Sequence, residues 1–524
     1  MKSIFNRAGA SALALVLAAP MSGSIAYAAA PEKPGSAYVQ CDGQPNNVTS
    51  GETAARLIGA VTLLGLFAPA PEAPDASKRK FGEAGVAACN SLLTGDSPEG
   101  NSSRRLGLIF GRALHQIEAK NYQAALDDVA MARREAKAAG LTANPYFARS
   151  RGRAFDLIES AALVRMGRAE EARAASLRGA DVLEYSVFPL FSTPTYAPLL
   201  PAPSAEEDRL LEWQGRLIPN ALLHRADRLD LAGRFTDSAR LRDAYVEFDV
   251  ENSPELNSSI GMAGAALAHA LAGNFEAAAE RAKAARANAE KRKSEGKPET
   301  DLSQYVELLD LYDILETARG GDSKTARRLF SARSQWVGVS LGSVMEVNRR
   351  LRQGAAADEL IGGLSKTPEQ LWKEQAETAR AALLAKDSDN KTLFALAPGL
   401  RPANGYEALS KNVWRADKSK IILKTKTPSK YKMETLFLPF VDPLAAMDGY
   451  VLHAALIAKS RGHEGFVFSP LLTDNLVAAW FRTGNRGEKG FPADLFIPAE
   501  DAIAKLSPII PAPATLEQKR AAKQ

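Results

Sequence analysis

Five stretches of this chain repeat one local plan, and that recurrence restricts the fold more than any other feature of the sequence. In each, an apolar-periodic helical segment runs into a short turn and then an Ala-rich helical segment. The turns are Ala119-Lys120-Asn121-Tyr122-Gln123-Ala124-Ala125-Leu126, Met166-Gly167-Arg168-Ala169-Glu170-Glu171-Ala172, Leu231-Ala232-Gly233-Arg234-Phe235-Thr236-Asp237-Ser238-Ala239, Leu271-Ala272-Gly273-Asn274-Phe275-Glu276-Ala277-Ala278-Ala279 and Ala318-Arg319-Gly320-Gly321-Asp322-Ser323-Lys324-Thr325-Ala326. A glycine closing the first helix adopts the left-handed conformation without a Cβ penalty. An aromatic two residues on, as at Phe235 and Phe275, fills the cleft between paired helices, and Ala three residues later lets the second helix approach the first closely.

This order of Gly, aromatic and Ala resembles the tetratricopeptide repeat. The fourth unit matches best, with Gly273, Phe275 and Ala278; the first keeps Tyr122 and Ala125 but has Lys120 in place of Gly. Ala169 and Ser323 replace the aromatic elsewhere, and Ser238 replaces the Ala. From Lys120 the turns step 47, 66, 40 and 48 residues, against a family period of about 34, so helices or connections are longer and the second step holds an insertion. Phe188–Pro198, with Pro189, Pro194 and Pro198, is that insertion and reads as too proline-rich for helix. The resemblance implies a mostly α fold, an α-solenoid of tetratricopeptide-like helix pairs, helical over roughly residues 100–385 within a repeat region bounded at 100–400. The alternative is an Ala-rich bundle without regular stacking.

The ends of the chain set its compartment and its caps. Lys2 and Arg7 precede an apolar run from Ala8 to Pro20, and Ala26-Tyr27-Ala28 follows, which together predict a signal peptide over 1–28 and a mature start at Ala29. The apolar run is shorter than the roughly 20 residues that span a bilayer, so no transmembrane segment is expected after cleavage. Without Lys2 and Arg7, 64 basic residues face 61 acidic ones, a balance that implies neither nucleic acid nor an anionic membrane as partner. A periplasmic or secreted location makes Cys41 and Cys89, the two cysteines of the sequence, a disulfide candidate. Residues 29–99, with helices expected at Glu52–Phe67 and Phe81–Leu93, read as the N-terminal cap that a solenoid needs.

Past the array, helices are expected at Val344–Leu351, Ala355–Leu364 and Pro368–Ala385. The character then changes. Strands are expected at Lys420–Thr427, Glu434–Phe440, Gly465–Ser469 and Leu476–Arg482, with a helix at Pro443–Ser460, giving a small C-terminal α+β domain over 412–510 and a solvated tail at 511–524. The stretch from Val451 to Ala458 with Gly462 and Gly465-Phe466-Val467-Phe468 is similar to part of an accessory domain of exported bacterial proteins.

No G-x-S-x-G, H-E-x-x-H, Walker A or paired C-x-x-C motif occurs, so no enzyme class, cofactor or metal is indicated. Ser388-Asp389-Asn390-Lys391 overlaps S-x-x-K with S-D-N in four residues, too close for the two elements to act as partners. What remains is the surface formed by the first helix of each pair, which suits a protein or peptide partner in the cell envelope. Its expected lining is Asn220, Asp227, Asp230, Glu307, Asp310 and Asp313. Two alternatives stay open: an envelope enzyme using Asp442, His453, His463 and Asp474, and a carrier of small molecules or glycans using Phe188, Phe191 and Tyr196 of the insertion.

Overall fold

The structure is a computed structural model that describes residues 35–46, 75–144, 147–149, 151–253, 259–385, 413–414, 433–436, 443–473 and 476–512. The expected signal peptide, the helix at 52–67, the strand at 420–427 and nearly all of the tail lie outside those residues. Within them the body is helical and a small antiparallel sheet follows near the C-terminus.

Five helix pairs form the body: α3 (Ser102–Glu118) with α4 (Tyr122–Ala138), α5 (Arg151–Arg165) with α6 (Ala169–Leu177), α9 (Ala221–Leu231) with α10 (Phe235–Asn252), α11 (Ser259–Leu271) with α12 (Phe275–Ser294), and α13 (Leu302–Arg319) with α14 (Ser323–Ser331). All five turns close in the same way. At the turn between α11 and α12, Gly273 N donates to Ala270 O at 3.1 Å and Asn274 N to His269 O at 2.9 Å, the paired bonds of a Schellman motif. Gly167, Gly233 and Gly321 repeat this with positive φ, and Lys120 enters the same left-handed region at φ 64°. The turn geometry is therefore kept where the sequence motif frays. Ala125, Ala172, Ser238, Ala278 and Ala326, each five residues past the turn centre, are completely buried, because only a small side chain fits where the two helices touch.

The long second step holds more than a loop. Val187–Phe191 (α7) is a one-turn helix, although Pro189 had argued against helix there. Proline is tolerated in a first turn because its missing N–H would have had no partner inside the helix. A full extra helix, α8 (Ala205–Leu217), follows; Ser204 caps it by accepting from Glu207 N at 3.1 Å. Ahead of the array, α1 (Ala37–Asp42) and α2 (Gly82–Leu93) pack on α3, joined by the Cys41–Cys89 disulfide. Both sulfurs sit in one core with Leu108, Phe110, Leu114 and Phe155.

After α14 come α15 (Leu341–Arg352) and α16 (Pro368–Ala385). The helix expected at Ala355–Leu364 is only two 3-10 turns, Ala357–Glu359 and Gly362–Leu364; Gly354 and Gly362 both take positive φ, which ends regular helix. The sheet has β1 (Glu434–Leu436), β2 (Gly465–Thr473), β3 (Leu476–Gly484) and β4 (Ile497–Pro498) in the order β1-β3-β2-β4, all antiparallel, with Phe468 opposite Phe481. The helix α17 (Pro443–Ser460) falls on its expected residues, and β4 with α18 (Ala499–Leu506) was not anticipated.

This α+β unit is not packed apart from the array. Phe466, Phe468, Ala479 and Phe481 share one core with Met447, Tyr450 and Val451 of α17 and with Tyr185, Leu190, Leu210 and Trp213 of the body. On the opposite sheet face Val467 and Trp480 meet Leu222, Leu229, Leu241 and Phe248 of α9 and α10. The alternation of a strand places apolar residues on both faces here because both faces are covered.

His453, on α17, is fully buried with Nδ1 2.6 Å from the Val413 carbonyl oxygen, so it is part of the core. Burial pushes its pKa below the ordinary histidine range, with the Val413 hydrogen bond opposing. The unfolded chain then binds the proton more readily than the folded one. Its contribution to stability is complete above about pH 6.5 and is lost as pH falls towards the depressed folded value. Replacing His453 by Gln is expected to flatten the decline in melting temperature between about pH 7 and 5.5. Equal slopes for both proteins would show that the ring titrates alike folded and unfolded.

Candidate partner-binding face

The first helices α9, α11 and α13 lie in succession, and α15 packs across all three. Its approach to α9 is set by Gly342. A Cβ there would stand 2.3 Å from Leu231 N and 2.4 Å from Asp230 C, backbone atoms that cannot rotate away. The side chains then lock the contact. Asp230 Oδ2 accepts from Ser340 Oγ at 2.7 Å, Ser343 Oγ at 3.1 Å and Arg242 Nη2 at 2.8 Å. Burial alone would lower the Arg242 pKa, but the Asp230 and Asp227 carboxylates more than reverse that and keep the guanidinium charged. Farther along, Arg350 donates to Leu271 O, and Val347 and Leu351 enter the core of α11 and α13.

The segment leading into α15 is held on α13 by similar chemistry. Glu307 Oε2 accepts from Gly338 N at 2.7 Å, and a Cβ on Gly338 would meet Gln304 Cα at 2.7 Å. The Arg333 guanidinium pairs with Asp310 and stacks 5.1 Å over the Trp336 ring.

The six polar residues expected to line this face therefore divide. Asp230 and Glu307 are buried against residues 338–343 of their own chain, so they are structural acceptors and not an open lining. Asp227, Asp310 and Asp313 stay at the surface, with side chains 47%, 42% and 52% exposed, each paired with an arginine: Arg242, Arg333 and Arg286. Asn220 precedes α9, is exposed and caps nothing through its side chain. Periodicity assigns an acid to a helix face; it does not say which distant segment packs there.

Gly342→Ala should push α15 off α9 and lower stability by about 2–3 kcal/mol, the upper part of the usual range for overpacking, because the atoms it meets cannot yield. Ser343→Ala, which removes one hydroxyl without adding volume, should lose only about 1 kcal/mol. Denaturant midpoints of the two variants give the check; a neutral Gly342→Ala would mean that α15 is not seated as described.

Next, α16 starts with a reciprocal cap in which Gln370 N donates to Thr367 Oγ1 at 3.3 Å and Thr367 N to Gln370 Oε1 at 2.8 Å. It runs from the α15 side, where Leu371 touches the α11–α13 core, to Leu383 beside Leu163, Val164, Ala172 and Ala175 of α5 and α6. It also packs on the 3-10 turn Ala197–Leu199, and the Arg380 guanidinium lies against Gly167. None of its described side chains is fully buried.

A second concavity of about 570 Å³ lies between α10 and the 489–494 loop, lined by Arg240, Asp243, Glu251, Arg281, Lys489 and Asp494 among others. Most of its charges are paired: Arg240 with Asp494, Lys489 with Glu251 at 2.9 Å, and Asp243 with His269 and Arg281, both at 2.8 Å, while the lining Glu247 accepts from Gly490 N at 2.9 Å. Burial raises the Asp243 pKa, and the His269 and Arg281 contacts outweigh it, leaving the carboxylate below its ordinary range.

Of the residues set aside for an enzyme site, His463 bonds to Thr483 Oγ1 at 2.9 Å and His453 is buried on the Val413 carbonyl; Asp442 and Asp474 lie outside the described residues. In the insertion, Phe191 packs on the core shared with the sheet, and Tyr196 Oη donates to Ser160 Oγ at 3.0 Å beside α5. Neither forms a free aromatic rim. Among the described residues there is no group of three or more His, Cys, Asp or Glu placed to hold a metal ion, and no helix is long and apolar enough to cross a membrane. No family model, curated protein or solved structure matches the chain.

Proposed function

We propose that this chain is an exported, tetratricopeptide-like helical scaffold that binds a protein or peptide partner in the cell envelope and performs no chemistry of its own. One observation carries the reading. The face formed by α9, α11 and α13 already takes a chain segment, residues 336–352, through a backbone N–H on Glu307, hydroxyls on Asp230 and a close glycine approach. Surfaces that dock a segment by main-chain and small polar contacts are the kind that peptide-recognition modules use. The buried disulfide agrees with an oxidising compartment.

Crosslinked capture from periplasmic extracts, using the mature protein as bait, is expected to return one recurrent partner. Its recovery should fall when Asp310 and Asp313, the exposed acids of α13, are both changed to Lys. An absence of any partner across several growth conditions counts heavily against the scaffold reading. The charged concavity beside α10 favours a second reading, a polar small-molecule carrier; cell-wall fragments and sugars would then raise the melting temperature by binding only the folded state.

A further inference from the structure

We infer that the strip crossed by α16, from α15 over Ala197–Leu199 to the α5–α6 turn, is a helix-binding seat, and that α16 is its in-chain occupant. The inference rests on the scaffold reading and specifies the partner: an amphipathic helix that replaces α16.

The geometry of α16 is that of a ligand more than of a core helix. Its half-buried positions are Pro368, Leu371, Trp372, Ala376, Ala379 and Leu383, and the residues between them are mostly exposed. Counted from Trp372, Ala376, Ala379 and Leu383 fall at i+4, i+7 and i+11, one stripe along a helix. Large residues stand at both ends and two alanines in the middle, so the helix is anchored at its ends and lies close at its waist. At about 1.5 Å per residue its 18 residues extend about 27 Å, far enough to touch two clusters that are otherwise separate. The other array helices named above each bury at least two side chains outright, as α14 does with Ala326 and Phe330, whereas α16 buries none of those described. Its Lys366–Glu374 pair is internal to the segment and exposed, so it does not tie the helix to the array. A partner helix with an aromatic or large aliphatic residue, two small residues and a leucine at this spacing would satisfy the same contacts. It must first compete with a tethered copy, whose high effective concentration masks the seat.

The experiment uses the mature protein and a fluorescent peptide of residues 366–385. In the Leu371→Glu/Leu383→Glu variant the leucines at the two ends of α16 are replaced while the seat is untouched. The peptide is expected to bind this variant at least ten-fold more tightly than the unmodified protein, and a peptide carrying the same two substitutions should not bind either. Hydrogen exchange provides the second measurement: α16 amides should exchange faster than those of α11 in the unmodified protein, and faster still in the variant. Equal peptide affinity for the two proteins, or α16 protection matching α11, overturns the inference. Partner capture reads out separately. A partner recovered despite a silent peptide assay leaves the scaffold and removes the seat; a binding peptide with no partner recovered does the opposite.

Discussion

Replacing Asp448 by Ala is expected to destabilise the protein by about 3–5 kcal/mol, because it strands a buried guanidinium. Arg149 Nη1 donates to Asp448 Oδ2 at 2.8 Å, with side chains only 3% and 1% exposed, and Ser186 Oγ donates to the same oxygen at 2.7 Å. The contact joins residues 299 apart in sequence and lies beside the core that α17 and the sheet share with Tyr185, Val187 and Leu190. Removing the carboxylate leaves Arg149 only neutral acceptors, Ser186 Oγ and the Glu184 carbonyl oxygen, and a buried charge without its countercharge dominates the loss. Replacing both ends by apolar residues, Arg149→Met with Asp448→Leu, should therefore recover most of the stability. The sheet and the middle of the body should also unfold together, since Phe468 and Trp213 belong to one core. Urea midpoints for the single and double variants test this. A loss below about 1 kcal/mol for Asp448→Ala would place the pair among solvated surface bridges.

Loss of the disulfide should act on the other end of the molecule, and by a similar amount. Cys41 and Cys89 enclose a separation of 48 residues, for which chain entropy gives about 4 kcal/mol. The bond holds α1 on α2 within the core built around α3, α4 and α5, and that cluster contains no residue of the sheet. Stability in stacked helical arrays is close to a sum of unit and neighbour terms, so damage at one end need not travel. Cys41→Ser is accordingly expected to lower the first unfolding transition and leave a later one, carried by the sheet and α8–α10, in place. Two titratable thiols in denatured, unreduced protein would remove the bond and this prediction with it. A uniform fall of every transition would instead show that the N-terminal core and the sheet unfold as one.

Local chemistry was legible in the residues alone. Gly167, Gly233, Gly273 and Gly321 sit at the left-handed turn positions expected of them, and α17 begins and ends where the sequence places it. The pairing of Cys41 with Cys89 needed only a compartment and a count of cysteines. Even Lys120, a departure from the pattern, takes the same turn, because the flanking helices supply the Schellman bonds whatever side chain stands there. These features depend on neighbours within one or two helical turns, and the sequence carries that information directly.

What the residues could not disclose is which apolar faces meet. Nothing local to α9 announces that Ser340 and Ser343, 110 and 113 residues away, will close over Asp230 and turn an expected binding acid into a structural one. Nor does the alternation in β2 reveal that Phe466 and Phe468 face α17 while Val467 faces α9 and α10. Apolar burial is non-directional and roughly proportional to area, so any two surfaces of adequate size and shape attract, and periodicity cannot choose between them. The selection is made by close approach and by the pairing of buried charge: Gly342 on the Leu231 backbone, Arg149 on Asp448. The sequence by itself thus determined the helix pairs, their turns and the bond that ties the first of them. Only the tertiary structure decided that α15 covers the first-helix face, that α16 lies across the strip beside it, and that the sheet is built into the body.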